Sequence, residues 1–217
     1  SIGYANNEIG TVQPLPEIAK IIREFRKNRL TNSEQSLNPN GYTLYPVLHT
    51  DACQAAPYLN LNVEGLGVDL MTLNSSKIYG PKGVGCLYIR NGVSLETIIF
   101  GGGQERNLRS GTENIPGIVG FAKALQIVQL EKNKENKRLI ELRDALIEKI
   151  PRLVPKAVLN GHPAKRLPNN VNFSILDIEG EALLLLLDDY GISCSTGSAC
   201  TSESLEPSHV ILALGKP

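Results

Sequence analysis

No stretch of the 217-residue chain is apolar for long enough to cross a membrane, since its densest run, Leu183 to Leu187, is flanked by Glu181 and Asp188. Neither sign of charge is in excess. Lys and Arg number 22 and Asp and Glu also 22, which argues against nucleic acid or a membrane as a direct partner. No secretory leader is legible at the N-terminus, and the expected location is cytoplasmic. The four cysteines (Cys53, Cys86, Cys194, Cys200) form no C-x-x-C pair and meet no histidine at a zinc spacing, so no metal is expected. Cys53 and Cys86 lie in apolar surroundings and read as buried packing thiols. Cys194 and Cys200 could pair as a redox disulfide across a short, glycine-containing loop.

What remains is ordinary globular material, with a hydrophobic fraction of 41% and a charged fraction of 20%. The length suffices for a buried core and for one large domain or somewhat more. Pro14 and Pro16 lead into a helix in which Ile18, Ile21, Ile22 and Phe25 share one face opposite Lys20, Arg23, Glu24 and Lys27. Residues 31–45 turn to Asn, Ser, Pro and Gly and read as an exposed loop. Strands are expected at Val47–Thr50, Val68–Leu73 and Val84–Arg90, and a long helix from Pro116 to about Ile150. Past Pro151 come a strand at Val171–Ile175, a buried helix at Glu179–Tyr190 and a strand at Ile192–Cys194. Alternating strands and helices imply an α/β fold with a mostly parallel sheet, followed by a smaller α+β unit. The expected domains are 1–150 and 151–217.

In such sheets ligands gather at the C-terminal ends of the strands, where Asp51, Asn74 and Lys77 are stationed here. Gly101-Gly102-Gly103 allows close backbone approach, or is simply a turn. Cys200 lies in Ser195–Ser204, a small polar stretch between two expected elements. A thiol on such a stretch can travel, and its thiolate is a nucleophile.

Five motifs occur in the order found in cysteine desulfurases: Asn6-Asn7-Glu8-Ile9-Gly10, Asp51-Ala52-Cys53-Gln54, Lys77-Ile78-Tyr79-Gly80-Pro81-Lys82-Gly83, Arg109-Ser110-Gly111-Thr112 and Ser198-Ala199-Cys200-Thr201-Ser202. The chain resembles that family nearly end to end. The resemblance implies the fold type I architecture of pyridoxal-phosphate transferases. It implies that Lys77 attaches pyridoxal 5'-phosphate and shuttles the substrate proton, and that Asp51 pairs with the ring nitrogen. Gln54 would hydrogen-bond the ring's phenolic oxygen, and Asn7 would contact the ring or the substrate carboxylate. Asn74, Ser75 and Ser76 align with the phosphate-binding turn, although the family usually has Ser-Gly-His there. Thr112 would reach the phosphate of a neighbouring subunit in a homodimer. Cys200 would take sulfur from L-cysteine as a persulfide, release alanine and serve a sulfur-acceptor or iron–sulfur scaffold protein. Further family segments on both sides are absent, so the sequence reads as an internal part of a longer enzyme. Three other readings are a selenocysteine lyase, a fragment that only binds partner proteins, and a thiol-redox module.

Overall fold

The computed structural model describes residues 1–32, 46–196 and 208–215. They fall into two compact units: Ser1–Tyr4 with Gln13–Lys132, and Ala5–Val12 with the described residues from Asn133 onward. The expected boundary at Pro151 lies inside a helix, in its last turn.

In the first unit, β1 (Ile2–Gly3), β2 (His49–Asp51), β3 (Leu70–Asn74) and β4 (Gly85–Ile89) form one sheet in chain order. β1 runs parallel to β2 and β2 parallel to β3, with Thr50 opposite both Ile2 and Met71. β4 returns antiparallel, pairing Met71 with Tyr88. The chain between β3 and β4 is too short for the crossover that a parallel strand needs. Met71 and Leu73 are buried on one face of β3, while Leu70, Thr72 and Asn74 are only half-buried. Cys86, expected in the core, is exposed, because it lies on the last strand of this sheet.

The helix α1 (Leu15–Asn32) does not bury the face that its isoleucines suggest. Leu15 and Ala19 are buried, whereas Ile21 is 66% and Phe25 49% exposed. The inward row continues to Arg26, whose Nη2 donates to the buried carboxylate of Asp69 at 2.5 Å. Asp69 also accepts from Leu48 N at 2.8 Å and lies 3.6 Å from Arg90 Nε. An ion pair at the end of the row thus sets the rotation of α1. The short helix α2 (Val63–Leu66) is capped by Asn62, which accepts from Glu64 N and Gly65 N, and ends at Gly67 in the left-handed region. A Cβ at Gly67 would stand 2.7 Å from the Ala19 methyl group, so α1 and α2 touch through this glycine.

The long helix α3 (Ile115–Leu153) opens with Pro116 in its first turn, where a missing N–H costs nothing. Phe121 is buried in the first unit, and Gln129 Nε2 donates to Ala56 O at 2.6 Å.

In the second unit, β5 (Ala157–Leu159) and β6 (Phe173–Ile175) pair antiparallel. Asn160 is buried beside them, donating from Nδ2 to Asn172 Oδ1 and Ser174 Oγ, both at 2.8 Å. α4 (Gly180–Asp189) forms where a buried helix is expected, yet it buries no residue, and Leu185 is 64% exposed. Ile192–Cys194 is irregular rather than a strand, and Cys194 is exposed. α5 (His209–Ala213) closes the described chain.

Candidate active site

Asp51 is the last residue of β2, and its Oδ1 accepts the backbone N–H of Cys53 at 2.9 Å, fixing the turn after the strand. The turn continues through Ala55 and Ala56, both of which donate to Ala52 O. Gln54 is half-buried within it. On the parallel neighbour β3, Asn74 ends the strand and caps a single 3₁₀ turn, Ser75–Ile78. Its Oδ1 accepts from Ser76 N at 2.9 Å and Ser76 Oγ at 2.8 Å. Lys77 follows, exposed and without an ion pair or hydrogen bond among the described residues.

The thiol of Cys53 reports how these groups stand together. Burial pushes it up to about 12, the Asp51 hydrogen bond and charge push the same way, and Lys77 opposes them. The strand-end acid and the lysine therefore act on one half-buried sulfur, which also points to Thr72 O at 3.8 Å. Read from the sequence as a buried packing thiol, Cys53 is only half-buried, and the charges of Asp51 and Lys77 act on its thiol in opposite directions. Its position two residues after an aspartate, the spacing of a side-chain-capped turn, was the available signal.

The turn after Lys77 is tightly built. Tyr79 takes φ 64, a conformation uncommon for an aromatic residue, and is 86% exposed. Gly80 donates to Ser75 O at 3.0 Å, and a Cβ there would lie 2.3 Å from Ser75 Oγ. Ser75 itself is fully buried, and its Oγ has no hydrogen-bond partner among the described residues. A Cβ on Gly120 of α3 would lie 2.6 Å from Pro81 Cγ, so the helix backs this turn at backbone contact distance.

Farther along, Glu105, Arg106 and Asn107 have φ of 48, 57 and 63, three left-handed residues in succession. Thr97 Oγ1 ties this turn down by donating to Asn107 O at 2.6 Å. Gln104 Oε1 accepts from Gly111 N at 3.1 Å, beside the exposed Thr112. A stretch that reads as flexible is thus held in a strained shape.

Asn7 belongs to the second unit. It is exposed on a turn whose backbone is held by Asn6 Oδ1, accepting from Glu8 N at 2.9 Å and Ile9 N at 3.0 Å. Asn170 Nδ2 donates to Glu8 O at 2.8 Å, and Arg166 Nη2 to Ile9 O at 3.1 Å. Gly10 completes the turn at φ 71, where a Cβ would stand 2.6 Å from Asn170 Oδ1. Cys200 lies outside the described residues.

Residues 45–216 match the family model for aminotransferase class V. The chain is 48% identical over 217 residues to "Cysteine desulfurase IscS" of Dictyoglomus turgidum, covering 100% of itself and 50% of that protein. It is equally 48% identical to "Cysteine desulfurase IscS 1" of Archaeoglobus fulgidus, over 99% of itself and 51% of the relative. A solved NifS-like protein superposes with a TM-score of 0.78 at 36% identity, over 99% of this chain and 50% of that one. Another, from Rickettsia africae, gives 0.81 at 27% identity, over 99% and 51%. These likenesses bear out the expected fold type I architecture of pyridoxal-phosphate enzymes, and the chain spans about half the length of the curated relatives it matches. With most of its length on the family model, the chain belongs to the aminotransferase class V family.

Proposed function

We propose that the protein works as a cysteine desulfurase, moving sulfur from L-cysteine to Cys200 with the help of pyridoxal 5'-phosphate. The carrying observation is that Asp51 ends β2 while an uncommitted Lys77 lies on the turn after its parallel neighbour β3, so acid and lysine stand at the same end of the sheet. The residues present fit the cofactor. Lys77 Nζ is free to attach its aldehyde carbon, Asp51 offers a carboxylate to the ring nitrogen, and Gln54, in the turn after Asp51, offers an amide for the phenolic oxygen. The orphaned, buried Ser75 hydroxyl, with Asn74 and Ser76, supplies polar groups for the phosphate. Bound there, pyridoxal phosphate supplies an electron sink that loosens the bonds at the substrate's α- and β-carbons.

Lys77, as an amine, takes and returns the proton at the substrate α-carbon. Asp51 keeps positive charge favourable at the ring nitrogen. By its motif alone, Asn7 is the residue proposed for the ring or the substrate carboxylate. The Cys200 thiolate attacks the substrate sulfur, forming a sulfur–sulfur bond as the carbon–sulfur bond breaks. The electron pair of the broken bond stays with carbon, which takes a proton. The products are L-alanine and a persulfide on Cys200, so atoms and electrons balance. Thr112 would serve the phosphate of a second subunit, making a homodimer in the cytoplasm. The persulfide would pass to a sulfur-acceptor or iron–sulfur scaffold protein, in keeping with the IscS names of the relatives.

The reading is tested in the full-length enzyme. Cys200→Ala should abolish persulfide formation while the cofactor's absorbance persists, and Lys77→Ala should lose the covalently held cofactor. Sulfur transfer at the wild-type rate in Cys200→Ala would overturn it.

A further inference from the structure

His49 stands two residues before Asp51 on β2, so the two side chains share one face of the sheet, with the buried Thr50 on the other. The imidazole is half-buried and has both ring nitrogens engaged. Nδ1 meets Ser1 Oγ at 2.8 Å, and Nε2 meets Thr72 Oγ1 of β3 at 2.8 Å. In register, His49 pairs with Leu70, whereas Thr72 pairs with Asp51. The ring therefore leans past its own partner to the level of the strand-end acid. Thr72 in turn holds the turn that Asp51 caps. Its carbonyl accepts from Ala52 N at 3.0 Å and faces the Cys53 thiol at 3.8 Å. One threonine thus receives the imidazole on its side chain and the Asp51 turn on its backbone. Burial and the amino-terminal charge push the pKa of His49 down, and the Asp51 carboxylate pushes it up, so ring and acid act on each other.

We propose that His49 is a positioning residue for Asp51: by holding Thr72, it fixes the level and direction of the carboxylate offered to the cofactor's ring nitrogen. This rests on the pyridoxal-phosphate reading of Asp51. The acid is exposed and its Oδ1 is tied to Cys53 N, so it moves with the turn. Ala52 N, inside that turn, hangs from Thr72 O. A Thr72 hydroxyl that loses the imidazole must find another partner, and the strand end shifts with it. A carboxylate set at the wrong height stabilises positive charge on the ring nitrogen less well. A histidine that served folding alone would lower the melting temperature and leave cofactor affinity and absorbance as they are.

The experiment uses the full-length enzyme, freed of cofactor and titrated with pyridoxal 5'-phosphate. The variants are His49→Ala, His49→Gln, Thr72→Val, the double variant of His49→Ala with Thr72→Val, and Asp51→Ala. Cofactor affinity and the position of its absorbance band are read beside melting temperature. His49→Ala and Thr72→Val should each weaken affinity about tenfold, the scale of one hydrogen bond. Their absorbance should move in the same direction as in Asp51→Ala, and less far. His49→Gln, whose amide can stand where Nε2 stood, should bind nearly as tightly as wild type. The double variant should bind no more weakly than His49→Ala, because Thr72→Val removes a bond already lost. If His49→Ala does not fold, Thr72→Val, which keeps the side-chain shape, decides the question by itself. Wild-type affinity and absorbance in His49→Ala and Thr72→Val, beside an altered Asp51→Ala, overturn the proposal. So does a His49→Gln as weak as His49→Ala, or losses that multiply in the double variant. An Asp51→Ala enzyme with wild-type affinity and absorbance sinks the pyridoxal-phosphate reading, and this inference with it.

Discussion

Cys53 donates its backbone N–H to Asp51 Oδ1 at 2.9 Å, while its own thiol is pushed up to about 12 by burial and by that same carboxylate. A residue that helps to aim the strand-end acid is thereby kept protonated by it. In the unfolded chain the thiol has its ordinary value of 9.0, so the folded state holds this proton more tightly. The stability from the pair is complete below pH 9.0 and is lost as pH rises toward about 12. Denaturant melts over that alkaline range should show a falling limb that flattens in Cys53→Ala. A limb of the same slope in the variant would rule the assignment out.

The same electrostatics predicts reactivity. Near neutral pH, iodoacetamide should label the exposed Cys194 and spare Cys53. Asp51→Asn removes the negative charge, lowers the Cys53 thiol and should bring its alkylation to lower pH. Peptide mapping after timed labelling checks both outcomes.

Gly120 separates helix propensity from packing. On a free helix surface, Gly→Ala gains about 1 kcal/mol. Here the added methyl would lie 2.6 Å from Pro81 Cγ, and a proline ring has little freedom to yield. Overpacking of this kind costs about 1–3 kcal/mol, so Gly120→Ala should melt earlier than wild type. It should also weaken cofactor retention, because the turn it displaces follows Lys77. A variant that melts later would show that α3 does not press on Pro81.

Asp69 is only 5% exposed and meets Arg26, Arg90 and the Leu48 backbone at once. Removing one partner of a buried pair leaves charge uncompensated, which costs about 3–5 kcal/mol. Asp69→Ala should therefore lower the urea midpoint far more than the exposed Glu148→Ala, whose ion pair with Arg152 is solvated. Equal shifts in the two variants would contradict this account.

Much of this architecture was legible before any coordinates. Runs such as Val68–Leu73 announce strands by their apolar density, and Pro116 announces the start of α3, because those signals act within a few residues. The strand-end placement of Asp51 and the Asn74–Lys77 turn was legible for the same reason. The rotation of α1 was not. The isoleucines at 18, 21 and 22 look like a core face, yet Leu15 and Ala19 are buried and Ile21 is exposed, since Asp69 draws Arg26 inward. A partner 43 residues away is invisible to local periodicity. Leu183 to Leu187 misled likewise, for α4 is apolar but not buried in this chain.

The sequence by itself determined the local elements, the family motifs and the identity of the candidate lysine, acid and thiol. Each depends on neighbours in the chain or on residue chemistry alone. Only the tertiary structure decided that β4 runs against β3 and leaves Cys86 exposed. It alone showed that Cys53 lies under the influence of both Asp51 and Lys77, and that the Glu8 carboxylate accepts the Ser208 hydroxyl. Those relations join residues up to 200 positions apart, and side-chain geometry, not composition, sets which of many compatible partners meet.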